Sequence, residues 1–599
     1  QTDAEPEVEL LGKAGLDRGI AANKPAIVLA GHSYNAFTPE GSQSVGKKLS
    51  SMGVAAIPAD CLMPEAAGPT SWHFANQVMN AVKIVKQKPN LFLLCVSNFS
   101  CTIDAFTQSM LASEMGSKPY LILEIDGHTA DAGVQTRLEA FLDIVKNYRA
   151  AQISRCSEFK PARLIAGGQV RRGDGEQIAL ADPRVKLYFP NFSQLHAEAL
   201  AMSVSWLGLH PGRVMPLTRS QLDKGLQYTT GRECLPLPIC IGQLLEIQKR
   251  RAPDEIAGFY MLEGGAPCVI DAYMGYLERF IDEQRLDDLF LLVPGADNDH
   301  CGYDQLTLAK YTLPALLVAD IMVEIEQVID VVGDADARTR LNQEWERFIA
   351  SATSLEQFHA QLSGFAERLA LLPRKRNPLD CPRLLVTGDF FTRFSPFFME
   401  GVREIYNDRG IILKPVDLNG LLLYGAYNMV SEAAGEWGLK PGGAALAKAC
   451  TRIFQPDGKE YLRRWLAYQT EKRFEAYYRK IFYKSGYLLT PQGDASATFA
   501  DASEHISPKI YGEVIPTVGD GVRAEVEGYD GIIIIGPFNC LPFRIAEAIL
   551  KPLSIQRGMP ILTYESDGYA VSPSFIRQVE VHTQQVLEHR ARNPINNAV

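Results

Sequence analysis

Four of the eleven cysteines share one local grammar. Cys101 stands in SNFSCTIDAFTQSML, Cys234 in TTGRECLPLPICIGQLL, Cys268 in LEGGAPCVIDAYMGYL and Cys540 in GPFNCLPFRIAEAIL. Each follows a turn containing Gly or Asn and precedes a stretch with helical spacing of apolar residues. Pro236 and Pro542 fall where a first helical turn tolerates proline. The pattern predicts turn, cysteine and helix at four places. A thiol at a helix N-terminus has its thiolate form favoured by the helix dipole, which suits metal ligation or redox work. One such cysteine alone reads equally well as an inert buried side chain, because cysteine is among the most buried residue types. The fourfold recurrence argues for chemistry. No CxxC pair occurs, which speaks against a zinc ribbon or a thioredoxin-type pair. Thiolates gathered from distant segments suit an iron–sulfur cluster, and a cysteine-bound zinc site is the rival metal reading.

Other groups add to this set. LEIDGHTADAGVQTRLEAFLD places Asp126 and His128 at a strand end, where either could relay protons beside a cluster. Asp126 could equally cap the turn. GADNDHCGYDQ places Cys301 in a loop after a strand, as an extra ligand or as part of a plain Asn/Asp/Gly turn.

The elements that must position these residues are partly repeated. AIVLAGHSYNAFTPEGSQSVGKKLSSMGVAAIPAD (26–60) aligns without a gap to RLLVTGDFFTRFSPFFMEGVREIYNDRGIILKPVD (383–417), at a constant offset of 357. Both read as strand, Gly-containing loop, helix, strand. The second halves also correspond, SNFSC with KPYLILEIDGH and GPFNC with GMPILTYESDGY. The expected architecture is α/β, with three flavodoxin- or Rossmann-like lobes of mainly parallel sheets, the first and last related by duplication. The lobes are 24–150, 151–332 and 381–599. A helical connector occupies 333–380, and a helical insertion occupies 425–525. In such sheets the loops at the carboxyl ends of the strands face the ligand crevice, which is where the four cysteines fall.

The 599 residues carry a net charge of −10, and 46% are hydrophobic. That composition is globular and disfavours nucleic acid or an anionic membrane as the main partner. EKRFEAYYRKIFYK (471–484) reads as a solvated helix with one apolar face rather than an RNA patch. No apolar run is long enough for a membrane span and no secretory signal opens the chain. The start at Gln1 reads as a trimmed product or a fragment. An odd number of scattered cysteines in a large chain fits a reducing cytoplasm.

The strings AIVLAGHSYN, VSNFSCTIDAF, GLQYTTGRECLPLPICIGQ, EGGAPCVIDAYMGYLERFI and GPFNCLPFRIAEAI resemble the C-terminal portion of the acyl-CoA dehydratase activase-related family. That family belongs to the circle of 2-hydroxyacyl-CoA dehydratases, benzoyl-CoA reductases and double-cubane-cluster proteins. The similarity runs with gaps from about residue 24 to 590. It implies that Cys101, Cys234, Cys268 and Cys540 ligate an iron–sulfur cluster, 4Fe–4S or larger. It also implies an ATPase of the actin/Hsp70 superfold, separate or fused upstream, that drives in electrons at low potential. The expected activity is that of a reductase or dehydratase component acting on an acyl-CoA or another small molecule, with homodimerisation open. The chain departs from the family at His32 and Ser33, where Arg-Pro is common, at Thr102, where Gly is common, and at Val269, where Arg is common. These changes leave the cysteine frame intact and alter the loops that would touch substrate. The chain has neither a Walker loop nor the Asp-Gly-rich hairpin of the actin-like fold. A non-catalytic scaffold or maturation partner that keeps a reductase fold is the rival from another class.

Overall fold

Continuous apolar runs such as LFLLCVS and GIIIIGP are what strands buried on both faces of a parallel sheet require, and they form the centres of two such sheets. The computed structural model describes residues 25–62, 70–98, 101–150, 159–261, 268–293, 302–303, 305–395, 397–510 and 512–593. The chain divides into two compact units. The first comprises Gln1–Pro161, Leu226–Leu237 and Leu262–Asp287, and the second comprises Ala162–Gly225, Pro238–Met261 and Asp288–Val599.

The first unit holds strands β1 (Ala26–Gly31), β2 (Ala55–Pro58), β3 (Leu91–Ser97) and β4 (Tyr120–Glu124), all parallel, in the order β2-β1-β3-β4. Alternation along β1 and β3 sends side chains to both faces. Val28, Ala30 and Leu93 pack with Val78 and Val82 on one face. Ile27, Leu29 and Phe92 pack with Leu138 and Phe141 on the other. Helices therefore cover both sides, as a doubly wound sheet needs.

The second unit begins with an antiparallel meander of β5 (Arg163–Ile165), β6 (Gln169–Arg171) and β7 (Gln177–Ala179). The run RLIAGG thus enters a meander instead of the parallel sheet expected for the middle region. The reason is local: Gly167 and Gly168 both adopt positive φ and reverse the chain. Strands β8 (Val185–Tyr188), β9 (Ile256–Tyr260) and β10 (Leu289–Leu292) form a parallel sheet in the order β10-β9-β8.

The last sheet comprises β11 (Arg383–Gly388), β12 (Ile412–Pro415), β13 (Gly531–Pro537) and β14 (Ile561–Ser566), again parallel, in the order β12-β11-β13-β14. Its register mirrors that of the first sheet, with Ala26 opposite Ala55 and Arg383 opposite Ile412. Between β12 and β13 the chain is helical, including Leu418–Gly435, Pro456–Phe482, Ala495–Ser503 and Val514–Arg523. The segment 333–380 contributes helices Ala337–Ser351 and Leu355–Ala370, which bury Trp345, Phe348, Phe358 and Phe365 in one core with the long Gln305–Val332 helix. Among the described residues, no helix is long and apolar enough to cross a membrane.

Candidate functional site

In the order β2-β1-β3-β4 the chain switches sides between β1 and β3, and the carboxyl ends of those strands are where an open α/β sheet receives its ligand. Two segments meet there. After β1 the chain turns at Gly31, whose φ of +138° and close approach to the Val96 carbonyl exclude a side chain. His32 follows as the N-cap of a short helix, Ser33–Ala36. After β3, Cys101 is the N-cap of the Thr102–Met115 helix, and Asp104 sits in that helix's first turn.

The result is a compact His–Cys–Asp group. His32 Nε2 lies 3.0 Å from Asp104 Oδ1 and 4.0 Å from Cys101 Sγ. Asp104 Oδ2 accepts the Ser97 hydroxyl at 2.7 Å, and Gln108 donates to Ser97 Oγ at 2.9 Å, so the carboxylate is fixed from behind. Tyr34 stacks on the imidazole at 5.2 Å and Phe74 meets it edge-on at 4.9 Å. The hydrogen bond to Asp104, then that to Cys101, raises the His32 imidazole to about 9, a proton that a metal at Nε2 would have to displace. Its other nitrogen, Nδ1, is buried and has no hydrogen-bond partner among the described residues. The ligand atoms of the three residues all lie within 4.8 Å of one another. Such a nitrogen, sulfur and oxygen set can hold one divalent metal with a coordination position left open.

The other cysteines also stand at helix starts. Cys234 is buried two residues before the Pro236–Arg250 helix, and half-buried Cys268 lies two residues before Ile270–Glu283. Cys540 is the buried N-cap of Leu541–Arg557, reached through Asn539 at a positive φ of 65°, which Asn tolerates. Cys101, Cys234 and Cys268 belong to the first unit and Cys540 to the second.

Within the first unit the cysteine-bearing segments interlock. Phe106 stacks on Tyr273 at 5.4 Å, and Tyr273 donates its hydroxyl to the Cys234 carbonyl at 3.4 Å. Ser109 donates to Glu233 at 3.2 Å, while Arg279 donates to the Ser109 carbonyl at 3.0 Å. No described cysteine is disulfide-bonded.

Neither protein-family models nor curated protein sequences match this chain.

The remaining sequence candidates lie elsewhere. Asp126 and His128 are in an exposed turn outside the His32 group. Asp126 accepts the His128 amide at 2.9 Å and the Thr129 hydroxyl at 2.8 Å, and the Thr129 bond holds its carboxyl below the usual range. Cys301 lies outside the described residues. In the sequence His32 stands only as a departure in a loop, and Asp104 has no assigned role. The signal was present: a Gly-His pair ending one buried strand, and Cys and Asp three apart after the next, on one face of a helical turn.

Proposed function

We propose that the chain is an iron–sulfur redox component of an ATP-driven, low-potential reductase system of the kind its resemblance to the acyl-CoA dehydratase activase-related family implies. The observation that supports this reading is the interlocking of three cysteine-led segments in the first unit: Phe106 on Tyr273, Tyr273 on Cys234, Ser109 on Glu233. The donor set fits, since Cys101, Cys234 and Cys268 are unbridged thiols at helix starts. Cys540 is proposed as the fourth ligand and Cys301 as an extra one. When bound, a cluster supplies one-electron transfer at low potential. The protein's own part at Cys101 is to hold a hydrogen-bond donor, His32, and its counter-ion, Asp104, against the sulfur. Hydrogen bonds to ligand sulfurs are one means by which a protein sets cluster potential. Electrons would come from an ATPase of the actin/Hsp70 superfold, and the substrate would be an acyl-CoA or another small molecule. A cytoplasmic setting and a duplicated origin for the two four-stranded sheets belong to the same reading. The duplication draws support from their shared strand order and register.

One observation favours a second reading, a single divalent metal such as zinc at His32, Cys101 and Asp104: their ligand atoms all lie within 4.8 Å of one another. Anaerobic purification separates the two. A brown protein absorbing at roughly 400 nm with about four irons or more per chain supports the cluster. Its colour should then be lost or altered by Cys234→Ser, Cys268→Ser or Cys540→Ser. About one zinc per chain that survives those changes and is lost in His32→Ala supports the single-metal site. A metal-free protein overturns both and leaves the scaffold.

A further inference from the structure

A lysine sits on a buried strand of the second unit, and the charges around it do not balance. Lys414 on β12 is 5% exposed. Its ammonium binds Asp417, lies 3.3 Å from Glu324 and donates to the Pro415 carbonyl at 3.1 Å. Arg479, on the Pro456–Phe482 helix, binds Asp417, lies 3.0 Å from Glu475 and lies 3.5 Å from Glu324. Two cations thus hold three carboxylates, and buried charges are tolerated only when paired in this way.

Lys414, Asp417 and Glu475 also line a cavity of about 100 Å³, together with Tyr424, Asp520 and Tyr529. Asp520 departs from the pairing. Among the described residues its hydrogen bond is the one that Oδ1 accepts from the Thr498 hydroxyl at 3.0 Å, and no cation forms an ion pair with it. Burial, then the like charge of Glu527, pushes its carboxyl up to about 7. Asn419, 2% exposed, donates its amide N–H to Glu475 at 3.1 Å, and its carbonyl oxygen has no hydrogen-bond partner among the described residues. The unpaired acid on the cavity wall calls for a cationic hydrogen-bond donor; Asn419 itself does not line the cavity.

The wall chemistry selects among cations. Magnesium and calcium take about six or more oxygen ligands, whereas Asp417 and Glu475 are already held by Lys414 and Arg479. The ring of Tyr424 favours an organic ammonium ion, which is attracted to aromatic faces and can leave its carbon stem against them, whereas Tyr529 already carries the Arg383 guanidinium 5.7 Å from its ring centre and offers packing surface to the stem. The volume equals roughly three waters, the size of an amine of about four non-hydrogen atoms. We propose that this cavity binds a small primary alkylammonium ion, its charge paired with Asp520 and its stem packed against Tyr424 and Tyr529. The proposal does not rest on the iron–sulfur reading, and it can be tested on the full chain with or without metal.

Titration calorimetry with ethanolamine and with ethylene glycol, its neutral counterpart of similar size, provides that test. Ethanolamine should bind saturably at one site per chain, with affinity about tenfold or more above that of the glycol. Asp520→Asn, which keeps the shape, should lower ethanolamine affinity by about the same factor while leaving the circular dichroism spectrum unchanged. If that variant fails to fold, the contrast between the two ligands on the unaltered protein still decides. Equal heats for both, or saturable heat with neither, overturns the proposal and leaves a cavity filled by water alone.

Discussion

Gly31 carries a φ of +138° where β1 passes the Val96 carbonyl, so His32 can leave the strand directly beside the segment that carries Cys101. An added methyl would meet both backbone strain and a collision with a neighbouring strand. Gly31→Ala should therefore cost roughly 2–5 kcal/mol in urea denaturation of the full chain. Gly46 is the control. It lies in the Val45–Ser51 helix, and the nearest atom to an added Cβ is Leu29 Cδ1 at an ordinary 3.6 Å. Gly46→Ala should stabilise by up to about 1 kcal/mol, so the same chemical change should have opposite signs fifteen residues apart. His582 offers a residue-scale test by pH. Its Nδ1 lies 2.8 Å from the Tyr406 hydroxyl, and burial lowers its imidazole to about 4. Between pH 6.5 and about 4 the unfolded chain binds a proton there that the folded chain does not, so this group's contribution to stability falls as pH falls. Asp389, Asp520 and Glu471, each held up to about 7 mainly by burial, act in the opposite sense and lose stability as pH rises from about 4 to 7. The total profile is a difference of these effects, and a variant isolates one of them. His582→Gln should lose less stability than the unaltered protein on going from pH 6 to 5, by up to about 1.4 kcal/mol.

The elements show what patterning can and cannot reveal. Strands β3 and β13 were legible because a central parallel strand is apolar throughout. The helices after Cys101, Cys234, Cys268 and Cys540 were legible because Pro, Asn and apolar spacing mark their starts locally. The pairing of His32 with Asp104 was not, since it joins residues 72 apart across neighbouring strands, and Asp104 alone looks like any acid in a first helical turn. The meander of β5 to β7 was hidden by strands of three residues each, too short to show a period. The start of the Leu418–Gly435 helix was hidden for another reason. Its caps come from elsewhere: Asp320 accepts the amides of Leu418 and Asn419, each at 2.8 Å, and His196 lies 3.0 Å from the same carboxylate. Asp320→Ala should remove these partners and cost roughly 2–5 kcal/mol, measured by chemical denaturation. Asp320→Asn, which keeps one acceptor oxygen, should cost less.

At the scale of the whole molecule, the first unit is assembled from three separated stretches of sequence, Gln1–Pro161, Leu226–Leu237 and Leu262–Asp287. The third supplies Tyr273 and Tyr276, which cover Phe106 on the Thr102–Met115 helix. A polypeptide of residues 1–161 should therefore expose apolar surface that the intact protein buries. It should bind a hydrophobic dye or aggregate where the full chain does neither, and a monomeric, dye-silent fragment would count against this division of the chain. The same arrangement sets a timetable for synthesis. A ribosome adding about 5–20 residues per second needs roughly 6–25 seconds to pass from residue 161 to residue 287. During that interval the nascent first unit has its sheet but lacks the tyrosines that close over Phe106 and two of its cysteine segments. Any holdase or cluster-loading factor that serves this protein on the ribosome would have to act within that interval or wait for release.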